Sequence, residues 1–551
     1  MRFVLLTAFW AVLLIAADPS TTYRDQAYQY AQKKQWAQAI DLYRKALALD
    51  PKDAGLHYDL ALALKYQGDA AAAIEEFSKA IEFKPAWSSA SYGLAASYCD
   101  EGNKNDCKLE LHRAINLDPN NFAARRYLAD LLLQENRPSE AIAQLQAICT
   151  AHPDDVQAHA QLGLAYLENG TPEKAIPEFR RYLKAHPNDA EASYHLGIAL
   201  GQDGQLQAAQ VAFRRSIAAN PKFGPSYQSL GIALRRNGDN AGALQQFRQA
   251  VRRMPDNAPA LCDLGFALKE TGDAPGAIAS LRRALALQPD LERAQYGLGI
   301  LLKLQGQTAE AGSQLSEVRQ SHESREQLTE SKKLIQDGIE LLKAHKQQAA
   351  LERFQAAQAV TPNFSSVYYY IGQADEQLGD ASKAADAYKR AIELKPDYSD
   401  AHMSLGVLYA QAQNNEAALA ELQNAVLSDS DSAEAHYNLA LLLANTQHPE
   451  QSIREVSDAI TLDPDNAEYR LLLGTVLTSQ NRLDAAIAIY TELIHRAPNC
   501  AEAYNNRGLL FLQSAQPAKA KADFERAIQI KPDYAAAHYN LGLTQSNAGS
   551  R

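Results

Sequence analysis

Three rows of side chains recur along this chain at one spacing, and each could carry binding chemistry. Tyr58, Tyr92, Tyr194, Tyr296, Tyr369, Tyr437 and Tyr539 occupy equivalent places of a 34-residue period. A row of rings suits stacking on a peptide or a sugar, and Tyr is equally an ordinary packing residue at such a place. Arg235, Lys269 and Lys303 stand 34 residues apart, with Arg236 and Lys343 beside their column. That basic stripe, in a chain of net charge -11, could take an acidic segment or a carboxylate. Cations in the last turn of a helix, next to the negative end of its dipole, are the alternative explanation. Asn438, Asn506 and Asn540 make a third row, whose amides offer both donor and acceptor to an extended backbone.

Catalysis asks for convergent, irregularly placed polar groups, and here almost every polar residue belongs to a column. Of 13 histidines, His57, His159, His402, His436 and His538 share one place in the period. They are a repeat feature before they are ligands. No His and Cys pair has zinc spacing, no glycine-rich loop joins a strand to a helix, and no nucleophile motif occurs. The chain is therefore read as non-enzymatic, with no catalytic residue, cofactor or metal. Its acidic balance argues against nucleic acid or an anionic membrane surface as the main partner.

The elements that must present these rows follow from the prolines. Pro51, Pro85, Pro119, Pro153, Pro187, Pro221, Pro255 and Pro289 are spaced by 34, and Pro362, Pro396, Pro464, Pro498 and Pro532 resume the period after a step of 73. A fixed period of this length means a stack of repeats without one large core. With the proline as position 32, units start at 20, 54 and so on to 292, then at 331 and so on to 535. Position 8 is then Gly or Ala in all sixteen units, from Ala27 to Gly542, and position 20 is Ala in all but Cys107 and Ser452. Two small columns twelve residues apart predict two antiparallel helices in close contact. Positions 4, 7, 8 and 11 trace the stripe of helix A, and position 24, large and apolar (Tyr43, Phe77, Phe179, Phe247, Phe354, Phe524), faces inward from helix B. Gly or Asn at position 15 suits the left-handed turn between them.

These columns resemble the tetratricopeptide repeat, with small residues at 8 and 20, an aromatic at 24, Ala at 27 and Pro at 32. The resemblance covers residues 20 to 551 apart from a five-residue insert. It implies an all-α solenoid of helix-turn-helix hairpins, a right-handed superhelix in two blocks, whose A helices line a concave groove for partners. Position 5 (the tyrosines), position 6 (the asparagines) and position 12 (the cations) line that groove in the family. The family's two-carboxylate clamp needs a cation at position 5 with Asn at position 9. Arg24 is instead followed by Tyr28, and Arg126 by Asp130, so the clamp is absent.

The expected organisation is a signal peptide over 1–17, repeats one to nine over 20–325, an insert at 326–330, repeats ten to fifteen over 331–534, and a capping helix with tail over 535–551. Between Thr308 and Gln348 there is no proline, so one long helix or a helix ending near Ser321 with a charged linker both satisfy the sequence. The apolar run Phe3 to Ala17 is shorter than a bilayer span requires, which favours export to a periplasm or the medium over an uncleaved membrane anchor. Cys99 and Cys107 flank a hairpin turn. They can bridge in an oxidising compartment, but separate buried thiols are the favoured reading because position 20 is normally an Ala packed on helix A. The functional expectation is a scaffold for other proteins or peptides, with a cell-envelope carbohydrate-handling factor as the alternative. Tyr539 and Leu541 leave the last helix partly apolar, which allows end-to-end association.

Overall fold

Helices are started, bent back and stopped by the same columns in every unit of this computed structural model. It describes residues 19–549; the expected signal peptide lies outside the described residues. Thirty α-helices, from Pro19–Gln32 to Ala535–Gly549, and no strand are found among the described residues. Asp or Asn side chains cap many of the helix starts. At position 34, the Asp53 carboxylate accepts from the amides of Gly55 (2.7 Å) and Leu56 (3.1 Å) before helix A, and at position 16, Asp239 accepts from Gly242 (2.8 Å) before helix B. Each cap supplies an acceptor to an otherwise unpaired amide and contributes about 1 kcal/mol.

The turn between the helices is conformationally identical throughout. Every positive φ among the described residues falls at position 15: eight glycines, Asn136 and Asn481, and also Lys34, His345, Gln413, Gln447 and Ala515. The geometry is thus imposed by helix packing and is adopted even where the residue disfavours it.

Packing within a hairpin centres on position 8. A Cβ built on Gly231 would lie 2.7 Å from Cε1 of Phe247, and on Gly372 2.5 Å from Cε1 of Tyr388. Those rings, from position 24, are wholly buried. Ala243 and Ala250, flanking Phe247 on the same helix face, are also fully buried. At Gly542, in the last described helix, a built Cβ would meet no atom of a neighbouring element within 4 Å, and no described helix B supplies a ring there.

The stretch that the sequence left open is one helix of 36 residues, Thr308–Lys343. Its first turns act as helix B of hairpin nine and its last as helix A of hairpin ten, where Gly338 meets the ring of Phe354. Gln26 and Asp337, which replace Leu at position 7, are both exposed.

The reading of Cys99 and Cys107 as separate thiols is corrected by the structure: they form a disulfide, with Cα atoms 5.3 Å apart. Cys99 lies in the last turn of Ser88–Asp100 and Cys107 in the first turn of Lys104–Leu117. Position 20 packs against helix A, so a thiol there is held at bridging distance.

The described residues form two compact units, one of 19–124, Ser430–Ala433 and 456–549, the other of Arg125–Asp429 and Glu434–Glu455. Within the first, helix Lys104–Leu117 makes polar contacts far along the chain. The buried Lys108 ammonium meets Asp431 at 2.8 Å, Arg113 pairs with Glu110 (2.8 Å) and Asp458 (3.4 Å), and Asn116 donates to the Thr461 carbonyl (2.7 Å). Burial pushes the Glu110 carboxyl up to about 7, against the opposing pull of Arg113.

Gly231→Leu should lower stability by about 1–3 kcal/mol through overpacking against Phe247. Gly201→Ala, whose Cβ meets nothing nearer than Ala209 Cβ at 3.9 Å, should instead raise it by about 0.5–1 kcal/mol. Urea unfolding of both variants measures this, and unchanged midpoints for Gly231→Leu would remove position 8 as the controlling contact.

Candidate protein interaction site

The proline that ends most B helices leaves its own carbonyl without a helical donor, and in many units position 4 of the next unit answers it. His57, His159, His402 and His538 each turn Nε2 toward the carbonyl of the proline six residues earlier, at 2.9–3.1 Å. Gln295, Tyr227 and Tyr368 donate to the same kind of acceptor at 2.8–3.1 Å, and Arg470 does so to Pro464. The other ring nitrogen of His57, His402 and His436 faces Glu76, Glu421 and Glu455 at position 23, at 2.6–2.7 Å, and His159 pairs likewise with Glu178. These histidines are seam fasteners between units. For His402, the bond to Glu421 raises the imidazole above its usual 6.5, with burial opposing.

Position 5 reaches position 6 of the next unit. Arg24 donates to Asp59 (2.9 Å), Arg126 to Gln161 (2.6 Å), Gln228 to Asp263 (2.8 Å), and Asn540 to Asn505 (2.9 Å), each pair 35 residues apart. Asn540 is therefore buried in this ladder. Asn506 donates to the Tyr490 hydroxyl at 3.4 Å, and Asn438 donates back to the Glu434 carbonyl of its own helix at 3.0 Å. The three asparagines are thus occupied separately, and the structure does not join them into one row.

Three of the seven tyrosines of position 5 are placed in the joints between units. Tyr58 stacks on Trp87 (4.6 Å) and meets Phe77 edge-on (5.7 Å). Tyr194 contacts Phe213 and Phe223, and Tyr369 contacts Tyr388 and Tyr398, in the same register. Positions 5, 24 and 34 so form a repeated aromatic trio. Tyr92 and Tyr437 are half-buried, whereas Tyr296 and Tyr539 are exposed. Burial raises the hydroxyl pKa of Tyr58, Tyr92 and Tyr369.

The cations behave differently. Arg235, Lys269 and Lys303 close the last turns of three successive A helices, Gly224–Arg236, Ala258–Glu270 and Glu292–Leu304. Lys269 and Lys303 are exposed, and half-buried Arg235 lies 5.9 Å from the centre of the Phe247 ring. None of the three has an acidic partner among the described residues. Beside them, a pocket of about 180 Å³ opens between helices Ala190–Gln202 and Gly224–Arg236, with Ile198, Gly201, Phe213 and Ile232 in its walls and Arg236 at its edge. A pocket in the same register between the first two A helices is aromatic, walled by Tyr28, Trp36 and Tyr66 around Asp59. Sequence reasoning missed both pockets and the two ladders. The signal for the ladders was present, in polar residues kept at positions 4, 5, 6 and 23.

Models of the tetratricopeptide repeat match residues 27–68, 54–86, 109–163, 160–222, 229–292, 262–323, 376–413, 403–447, 437–501, 471–535 and 505–549. The chain belongs to the tetratricopeptide repeat family. No curated protein matches it significantly. It is similar to solved tetratricopeptide structures. One is YrrB, described as having an unusual peptide-binding site (21% identity, TM-score 0.31, 34% of this chain and 96% of that one). A second is Naa15/Naa10 bound to HypK-THB (13%, 0.36, 97% of each), and a third is yeast Tom70 (15%, 0.31, 96% of each). As a tetratricopeptide array, the chain has the build of a protein-interaction scaffold. No helix among the described residues is long and apolar enough to cross a membrane.

Because the His402 pKa is raised in the fold, its ion pair stabilises fully below about 6.5 and is lost as pH rises through the raised value. His402→Gln should keep the bond to Pro396, as Gln295 does to Pro289, and remove the charge. The stability gap between parent and variant should be widest near pH 6 and close on the alkaline side. A gap independent of pH would show that His402 stays neutral.

Proposed function

We propose that this protein is a non-catalytic scaffold that binds extended segments or helices of other proteins along the face lined by its A helices. In this reading an acidic segment lies against Arg235, Lys269 and Lys303. The observation that carries it is that these three, in successive units, have no acidic partner, whereas Arg24 and Arg126 at position 5 are consumed by ladder contacts. Many moderate contacts spread over several units would set the affinity, with charge chiefly setting approach and register.

The chain with Arg235, Lys269 and Lys303 all changed to Glu should capture its acidic partner at least about tenfold more weakly than the parent, since three attractive contacts become repulsive. A pull-down with both proteins measures this. Equal capture by both would remove the stripe from the site.

We also propose that the protein works outside the reducing cytosol. The apolar run Phe3 to Ala17 and the Cys99–Cys107 disulfide support this reading. Mass spectrometry of protein from the exported fraction should find a mature N-terminus at Asp18, with Cys99 and Cys107 unreactive to alkylation until reduced. Protein retaining Met1 with both thiols free would overturn it.

A further inference from the structure

Hairpin six departs from its neighbours in two facing columns at once. In hairpins two, five and twelve the seam beside helix A is filled by a His at position 4 and a Glu at position 23. Hairpin six has Ser193 and Ala212 there. The room left is a pocket of about 300 Å³ between helices Pro172–Ala185, Ala190–Gln202 and Leu206–Ala219, on the side of the B helices and away from the cation row. That volume is at the lower end of those that hold small ligands.

The chemistry of its lining is one-sided. Leu196, Leu200 and Ala212 form an apolar floor, and Val211, 65% exposed, forms the lip. Arg180 and Arg215 stand at the mouth. Arg215 donates Nε and Nη2 to the Pro187 carbonyl at 3.0 and 2.7 Å, which fixes the guanidinium in place, and it has no acidic partner among the described residues. Arg180 has none either. Two guanidinium groups above an apolar floor complement a carboxylate attached to an aliphatic chain, since guanidinium binds carboxylate by charge-assisted hydrogen bonds and the chain is removed from water below.

We propose that the pocket of hairpin six is a binding site for an aliphatic carboxylate, either the free C-terminus of a partner chain ending in an aliphatic residue or a medium-chain fatty acid. The site does not depend on the A-helix face and would operate whether or not that face binds an acidic segment.

The test is calorimetric titration of the full chain with octanoate, octanamide, and an acetylated Gly-Gly-Gly-Leu peptide as free acid and as amide. Binding of octanoate or of the peptide acid, at least about tenfold tighter than its amide counterpart, is expected, and which acid binds identifies the source. The double variant Ser193→His with Ala212→Glu rebuilds the pair that hairpins two, five and twelve already accommodate, and should abolish binding by filling the pocket. Val211→Glu, a change at an exposed lip, should weaken binding at least about tenfold by placing a like charge at the mouth. The proposal is overturned if neither acid binds at millimolar concentration, if acid and amide bind equally, or if the parent and Val211→Glu bind alike.

Discussion

The contact between position 8 and the side chain at position 24 is the constraint on which the rest of the molecule depends. Where position 8 of a complete hairpin is glycine, the ring or Leu from helix B occupies the space a Cβ would need, so the two helices pack in close contact. That contact forces the left-handed residue at position 15, and it fixes how much of helix B faces the next unit. Lys34, His345, Gln413, Gln447 and Ala515 accept a disfavoured φ because the packed helices on either side leave the turn no other path.

Stacking of one hairpin on the next is decided by polar as well as apolar groups. Each proline ends a helix at the cost of an unanswered carbonyl, and a side chain of the following unit satisfies many of these. The same logic produces the links from position 5 to position 6. Polar residues that look free in a helical projection are therefore often committed across a joint, and such commitment specifies the register between units. Hairpin six, with Ser193 and Ala212, shows the converse: there the fastening pair is missing and an opening appears.

The hairpin units were legible in the sequence because glycine, alanine and proline columns report backbone demands directly. Position 8 reads as small because a side chain there would collide, and position 15 as Gly or Asn because of its φ. The candidate site was less legible. Tyr58, Tyr194 and Tyr369 form a row in projection, yet their rings turn into the joints toward partners at positions 24 and 34. That preference depends on residues 19 and 29 positions away. Cys99 and Cys107 illustrate the same gap, since whether two thiols eight residues apart can meet depends on the height of one helix against the other.

The helix Thr308–Lys343 belongs to two hairpins at once. At about 1.5 Å per residue its 36 residues extend for roughly 54 Å without a turn. Elsewhere in the array each hairpin is bounded by a short loop, with a proline in every case but hairpin twelve, where Ser430 stands instead, and these are points where fraying can stop. Here no such stop exists, and melting of the ninth hairpin's second helix propagates along an unbroken backbone ladder into the first helix of the tenth. The register break that divides the sequence pattern is thus where the two neighbouring units unfold as one.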